Sequence, residues 1–213
     1  MDADVEVKQG KAIADACKSA GIAHIIWSAL PDVTKLTNGV LTHVDHFNSK
    51  AAVSEYIKEL GIPYTLFMPG YFLSNIPGMV LRQSPPHNAW TLSLPFGSNT
   101  QIPVFDPEDD TGKFVRGIML NKDNVLGKEI LGATAYMTPD EMVQEFKEQF
   151  PKAGVNAMFV ELSHASFKEG LAQMGMPPFV QEELLENMRF MAEYGYAGGV
   201  SLDESHAVSV TSH

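Results

Sequence analysis

Cysteine is almost missing from these 213 residues: Cys17 stands alone, so no intrachain disulfide can form and packing has to hold the chain together. Long apolar runs are missing too. None approaches the roughly 18 residues that a membrane span requires, and the opening Met1-Asp-Ala-Asp-Val-Glu6 is acidic, with no apolar core of the kind a secretory signal carries. Positive charge is scarce: 15 basic residues face 26 acidic ones, a formal net charge of −11, and no Lys/Arg-rich run exists. That balance opposes direct contact with nucleic acid or anionic lipid, both of which need clustered cations. The expectation is a protein of a reducing compartment, cytoplasmic, with the nucleus also open to it.

A fourth absence bears on chemistry. No Gly-x-Gly-x-x-Gly follows a strand and no phosphate-loop motif occurs, so no Gly-rich strand-to-helix turn is available to cradle a phosphate. The cluster Gly195-Tyr-Ala-Gly198-Gly199 follows a helix instead and reads as its stop.

What is present is an ordinary globular composition, 45% apolar and 19% charged, long enough to bury a sizeable core. Residues 22–71 organise it. Residues 22–28 form an apolar run ending in Ser28. Residues 45–60 set Phe47, Val53, Ile57 and Leu60 near one helical side, and residues 64–68 form a second apolar run closed by Pro69-Gly70. Two buried strands joined by an amphipathic helix make a βαβ unit, with parallel strands and a right-handed crossover. The fold class expected is α/β, a parallel sheet with a mixed α/β lobe packed over it. The chain reads as a single domain, its core running to about residue 80 and its lobe starting at about residue 88.

Around that unit, residues 6–21 read as a helix, and residues 30–44 as a loop long enough to shape a pocket. Residues 71–81 read as a short helix broken at Pro77-Gly78, and residues 82–88 as a Pro-rich loop. Residues 90–94 and 101–105 alternate and are expected to pair as a hairpin. The run Asp106-Pro107-Glu-Asp-Asp110 reads as a helix start, residues 128–136 and 156–162 as strands, and Thr138-Pro-Asp-Glu141 as a capping box. From residue 166 on the chain reads as mostly helical, ending in an acidic tail. Two strands alone would leave a long apolar sheet edge exposed. Either later strands complete it, a partner or second copy covers it, or a front half is missing, and the sequence favours the last two.

Ligands of doubly wound sheets sit beyond the carboxyl ends of the strands, which here carry Ser28 and Pro69-Gly70-Tyr71. His46 and Lys50 lie one turn apart on one face of the intervening helix. A lysine there can hold a ribose and lower the pKa of a neighbouring acid, His46 can exchange a proton near neutral pH, and the Ser28 hydroxyl can polarise a carbonyl. The same spacing describes a solvated helical pair and a serine bonded only to backbone. Trp27, Tyr71, Phe72, Trp90 and Phe96 suit a pocket wall or a plain aromatic core equally. His43, Asp45 and His46 lack a third ligand at credible spacing, so no metal is expected.

Taken together, Glu6-Val-Lys-Gln-Gly-Lys11, Ile25-Ile-Trp-Ser28, His46-Phe-Asn-Ser-Lys50, Glu55-Tyr56, Gly61-Ile-Pro-Tyr-Thr65 and Pro69-Gly-Tyr-Phe72 resemble the NmrA-like family. These are atypical short-chain dehydrogenase/reductase relatives, common in fungi, with NAD(P)-binding Rossmann domains. The resemblance is specific over about residues 5–76 and weaker through 106–115 and 138–146. It implies that the parallel sheet is the C-terminal half of a Rossmann-type sheet and the lobe its substrate side, with NADP or NAD as cofactor. Lys50 looks like the lysine of the Tyr-x-x-x-Lys motif, His46 stands where the tyrosine would, and Ser28 lies at the catalytic serine. Pro69, Gly70 and Tyr71 then pass the nicotinamide, and the substrate contacts fall to Trp27, Phe72, Asn75 and Trp90.

The family's Gly-rich turn precedes the first residue here, a difference of roughly 90 residues at about 30 per βαβ unit. The resemblance therefore implies an N-terminally truncated chain whose NADP affinity collapses for want of a phosphate turn. The function implied is an NAD(P)-dependent oxidoreductase acting on a small organic substrate. The alternatives are a non-catalytic redox sensor that binds a regulatory protein, a non-redox isomerase or dehydratase, and an inactive fragment.

Overall fold

The computed structural model describes residues 3–84 and 89–209. Helix α1 (Ala3–Ser19) starts on Asp4 and Glu6 and ends on Lys18, charges that suit the two ends of its dipole. After Gly21, at φ +64°, comes β1 (Ile25–Ser28). The next loop contains one short helix, α2 (Val33–Leu36), and leads to α3 (Asp45–Leu60), stopped by Gly61 in the left-handed region. Strands β2 (Tyr64–Pro69) and β3 (Tyr71–Phe72) follow. The broken helix expected after them is a tight turn, Leu73–Asn75, and a wide one, Ile76–Val80, where Pro77 at ψ 127° and Gly78 at φ 77° leave helical space.

Next come β4 (Leu81–Ser84), β5 (Ala89–Leu94), β6 (Ile102–Phe105), α4 (Thr111–Leu120), α5 (Lys122–Val125), β7 (Glu129–Gly132) and β8 (Ala135–Met137). The chain ends with α6 (Pro139–Gln149), β9 (Met158–Glu161), α7 (His164–Gln173), α8 (Pro178–Gly198) and α9 (Asp203–Val208). The Pro-rich loop expected over residues 82–88 opens as strand β4, and its residues 85–88 lie outside the described residues.

Two compact units divide these elements. One comprises the residues to Gly70, Phe105–Thr134 and those from Val200 on. It holds a parallel sheet ordered β1-β2-β7, in register Ile25↔Tyr64 and Ser28↔Phe67 on one side of β2, and Leu66↔Glu129 and Pro69↔Gly132 on the other. Each sheet face packs its own core. Ala14, Ile25, Val53, Ile57 and Ile62 close one, with half-buried Trp27. Phe67, Phe105, Phe114, Ile118, Val125, Ile130 and Val208 close the other, its three phenylalanine rings 5.4–5.8 Å apart. Helices on both faces of a parallel sheet make this an α/β fold, as the strand–helix–strand pattern requires.

The apolar edge of the two-strand βαβ unit is completed on the β2 side by β7. The chain returns to this sheet later than a core ending at about residue 80 would have it, because Phe114, Ile118, Val125 and Ile130 need an apolar face to cover. The acidic tail returns as well. In α9 the Ser205 hydroxyl donates to the Leu131 carbonyl, the His206 ring Nε2 donates to the Thr134 carbonyl at 3.0 Å, and Val208 joins the core.

The other unit comprises Tyr71–Val104 and Ala135–Gly199. It carries a sheet β4-β5-β9, antiparallel then parallel, and a sheet β3-β6-β8. The hairpin expected between residues 90–94 and 101–105 does not form. Strand β6 is buried along its whole length and pairs with β8, Ile102↔Met137, while β5 pairs with β4 and β9. The helix expected from residue 106 also starts later. The Asp106 carboxylate accepts the N–H groups of Glu108 and Asp109 and closes a turn, so α4 begins only at Thr111.

Candidate functional site

The site is built where α1 and α3 lie against the β1 side of the parallel sheet. The Ala29 N–H donates to the Phe67 carbonyl at 2.8 Å, carrying the pairing of β1 with β2 one residue past Ser28. The loop that follows is anchored rather than loose: Val33, Leu41 and Val44 are fully buried, and the Thr37 hydroxyl donates to the Val33 carbonyl while accepting the Leu41 N–H. Asn48 then bonds twice to Thr34, fixing the first turns of α3. Those turns present His46, Ser49 and Lys50.

Lys50 does not stand open. Its Nζ lies 3.1 Å from Glu6 Oε1 of α1 and 5.9 Å from the centre of the Trp27 ring. Ser49 Oγ donates to the other carboxylate oxygen of Glu6. The Glu6 side chain is 18% exposed and that of Lys50 29%, so the pair is partly shielded from water. Burial alone would raise the Glu6 pKa. Hydrogen bonds from Ser49 and Lys50, with the charges of Lys50 and His46, outweigh it and hold the carboxyl below its ordinary value.

His46 sits edge-on against the Phe47 ring, centroids 4.8 Å apart. Trp27 lies under α1 at Gly10, where an added Cβ would come within 2.6 Å of Val53 Cγ2 and 3.2 Å of Trp27 Cη2. Its indole Nε1 is buried with no hydrogen-bond partner among the described residues.

The structure thus brings Lys50 and Trp27 together, on α3 and β1, with His46 close enough to act on the shared carboxylate through its charge. Ser28 is exposed and, by strand alternation, shares the face of Ile26, which packs on the Phe67 side, opposite Trp27. Pro69 and Gly70 end β2, and the Gly70 N–H donates to the Gly132 carbonyl at 2.9 Å.

Tyr71, Phe72, Asn75 and Trp90 belong to the other unit. Burial pushes the Tyr71 phenol up to about 12. Phe72 is exposed, and Asn75 is half-buried in the tight turn. Trp90 packs on Phe146, centroids 5.4 Å apart, which packs in turn on Phe150.

Sequence reasoning missed Glu6 and Ser49. Ser49 adjoins a residue already singled out, but Glu6 lies 43 residues from it along the chain. Only the packing of α1 on α3 brings them together.

A dinucleotide pyrophosphate needs free N–H groups at a helix start directly after a strand. Among the described residues the parallel sheet offers none. The helix after β1 has its start taken by the Asp32 carboxylate, which accepts the Lys35 N–H at 2.9 Å, and β2 and β7 run on into strands. Nothing described fits the phosphates of such a ligand. Nor does any group of three or more His, Cys, Asp or Glu among the described residues stand ready for a metal ion.

A parallel sheet sandwiched by helices, with polar side chains where the strands end, is a Rossmann-type α/β domain. The chain belongs to the NmrA-like family, whose model matches residues 1–212. The nitrogen metabolite repression protein nmr of Neurospora crassa is 32% identical over 149 residues, 66% of this chain and 30% of that protein. The NmrA-like oxidoreductase malD of Malbranchea aurantiaca is 29% identical over 163 residues, 72% of this chain and 47% of that one. The chain therefore spans less than half the length of these curated relatives.

Among solved structures, the negative transcriptional regulator NmrA in complex with NADP superposes with a TM-score of 0.76 at 21% identity, over 95% of this chain and 64% of that one. The Escherichia coli NADPH-dependent quinone oxidoreductase QOR2, complexed with NADPH, does so at 0.67 and 20%, over 94% and 64%. These structural neighbours bind NAD(P).

Proposed function

We propose that this NmrA-like protein is a binding protein rather than an oxidoreductase, keeping the fold and the nicotinamide-end residues of an NAD(P) site without the machinery for hydride transfer. One observation carries the reading: Lys50, the family's motif lysine by resemblance, is held by Glu6 at 3.1 Å, with His46 where a tyrosine would supply the proton. An ammonium shared with a carboxylate no longer acts as a free cation that lowers the pKa of a neighbouring acid. Among the described residues no helix start cradles a phosphate, which supports weak NADP or NAD binding by these residues taken alone.

The acidic excess, −11, suits a basic segment of a regulatory protein as partner, since complementary charge steers docking. The similarity to a nitrogen metabolite repression protein agrees with that role. The test pairs two assays. With NADPH and a panel of quinones and aldehydes, no turnover above background is expected. In a pull-down of regulatory proteins, capture should weaken with salt and be indifferent to Lys50→Ala.

A second reading, a reductase of a small organic substrate, is favoured by His46 lying one turn from Lys50 and by relatives named as oxidoreductases. In it Ser28 and His46 serve the carbonyl, with Trp27 beside the substrate. Turnover that falls at least about tenfold in His46→Ala would establish it in place of the first.

A further inference from the structure

Lys50 is the one residue of this site to which chemistry would assign a ligand, and its ammonium is already engaged. Of its three N–H donors one faces Glu6 at 3.1 Å, and the Trp27 ring lies 5.9 Å away. Glu6 is in turn held twice by adjacent residues of α3, through Lys50 and through the Ser49 hydroxyl. A carboxylate gripped by two neighbours on one helix is fixed in place, unlike a lone surface ion pair, which side-chain entropy loosens. Its pKa, held below the ordinary value, keeps it charged.

We infer that Glu6 is a positioning residue that decides what Lys50 will accept: it occupies the ammonium, cancels its charge, and excludes anionic ligands from the α1–α3 site. The inference rests on the reading above, in which Lys50 is not given over to catalysis. An incoming phosphate or carboxylate has to displace Glu6 and then lie beside it, a like-charge contact in a partly desolvated place. A neutral ligand meets no such barrier. The site as built therefore discriminates by charge, and one substitution reverses the discrimination. Glu6→Gln keeps a side chain of the same shape, able to bond Ser49, and leaves Lys50 with a net positive charge.

Only Trp27 and Trp90 contribute indole N–H signals, so the Trp27 signal is a local reporter readily assigned with Trp27→Phe. Ribose 5-phosphate is titrated into the wild-type chain, Glu6→Gln, Ser49→Ala and the double variant Glu6→Gln/Lys50→Ala, following that signal by NMR. Binding at least about tenfold tighter than wild type is expected for Glu6→Gln, with a smaller gain of about threefold for Ser49→Ala, and no gain in the double variant. Binding to Glu6→Gln no tighter than to wild type overturns the proposal, and so does a gain that survives loss of Lys50. If Glu6→Gln is unfolded at the assay temperature, Ser49→Ala decides in the same way. NADPH turnover by the wild-type chain would sink the binding-protein reading while leaving this titration's outcome to stand by itself.

Discussion

Gly10 shows how little room a single residue has beside the site. A methyl group there would sit 2.6 Å and 2.9 Å from the two Val53 methyls and 3.2 Å from Trp27. Real Cβ contacts do not come so close, so Gly10→Ala has to push α1 off α3, at a cost of about 1–3 kcal/mol by overpacking. Chemical denaturation should show that loss, and NMR a displaced Trp27 indole signal. Glu6 gives the same surface its pH dependence. A carboxyl held lower in the folded chain than in the unfolded one stabilises above its unfolded value, near 4.5, and loses that contribution as pH falls through the lowered one. Stability should therefore decline with acid below about pH 5, and Glu6→Gln should lower the plateau near neutrality and flatten that decline. Tyr71 carries the opposite sign. Its phenol is raised to about 12, so it stays neutral at physiological pH and should appear in an ultraviolet titration as a tyrosine ionising well above the ordinary 10.

At the scale of the element, local chemistry wrote most of what could be read in advance. Helix α3 runs over the residues its apolar spacing marks, and Gly61 stops it. Thr138 opens α6 with a full capping box: its hydroxyl accepts the Glu141 N–H, and the Glu141 carboxylate accepts the Thr138 N–H at 2.7 Å. Thr138→Ala should cost about 1 kcal/mol, measured as a lower denaturation midpoint with an unchanged slope. What was illegible is partnership. Strands β5 and β6 both alternate like hairpin arms, yet β5 is claimed by β4 and β9 and β6 by β8, and alternation says only which side of a strand is apolar. Asp106 misled for a related reason. Its carboxylate caps a turn as readily as a helix, and here the turn comes first. The site followed the same division. Lys50 and His46 could be read from one helical turn, while Glu6 belongs to it only because α1 packs on α3.

For the whole molecule, membership of the NmrA-like family and the parallel β1-β2-β7 sheet agree on an NAD(P)-type fold. Among the described residues, the strands of that sheet lead on to the short helix α2, to β3 and to β8. In the proposed reading these residues are the nicotinamide end of a dinucleotide site, with Lys50 already paired to Glu6. That is the physical content of calling the protein a binder rather than a reductase. Calorimetric titration of NADPH and NADH into the 213-residue chain tests it most directly. No binding at micromolar concentrations is expected; a micromolar dissociation constant for either nucleotide would show that the phosphates are held after all and would contradict it.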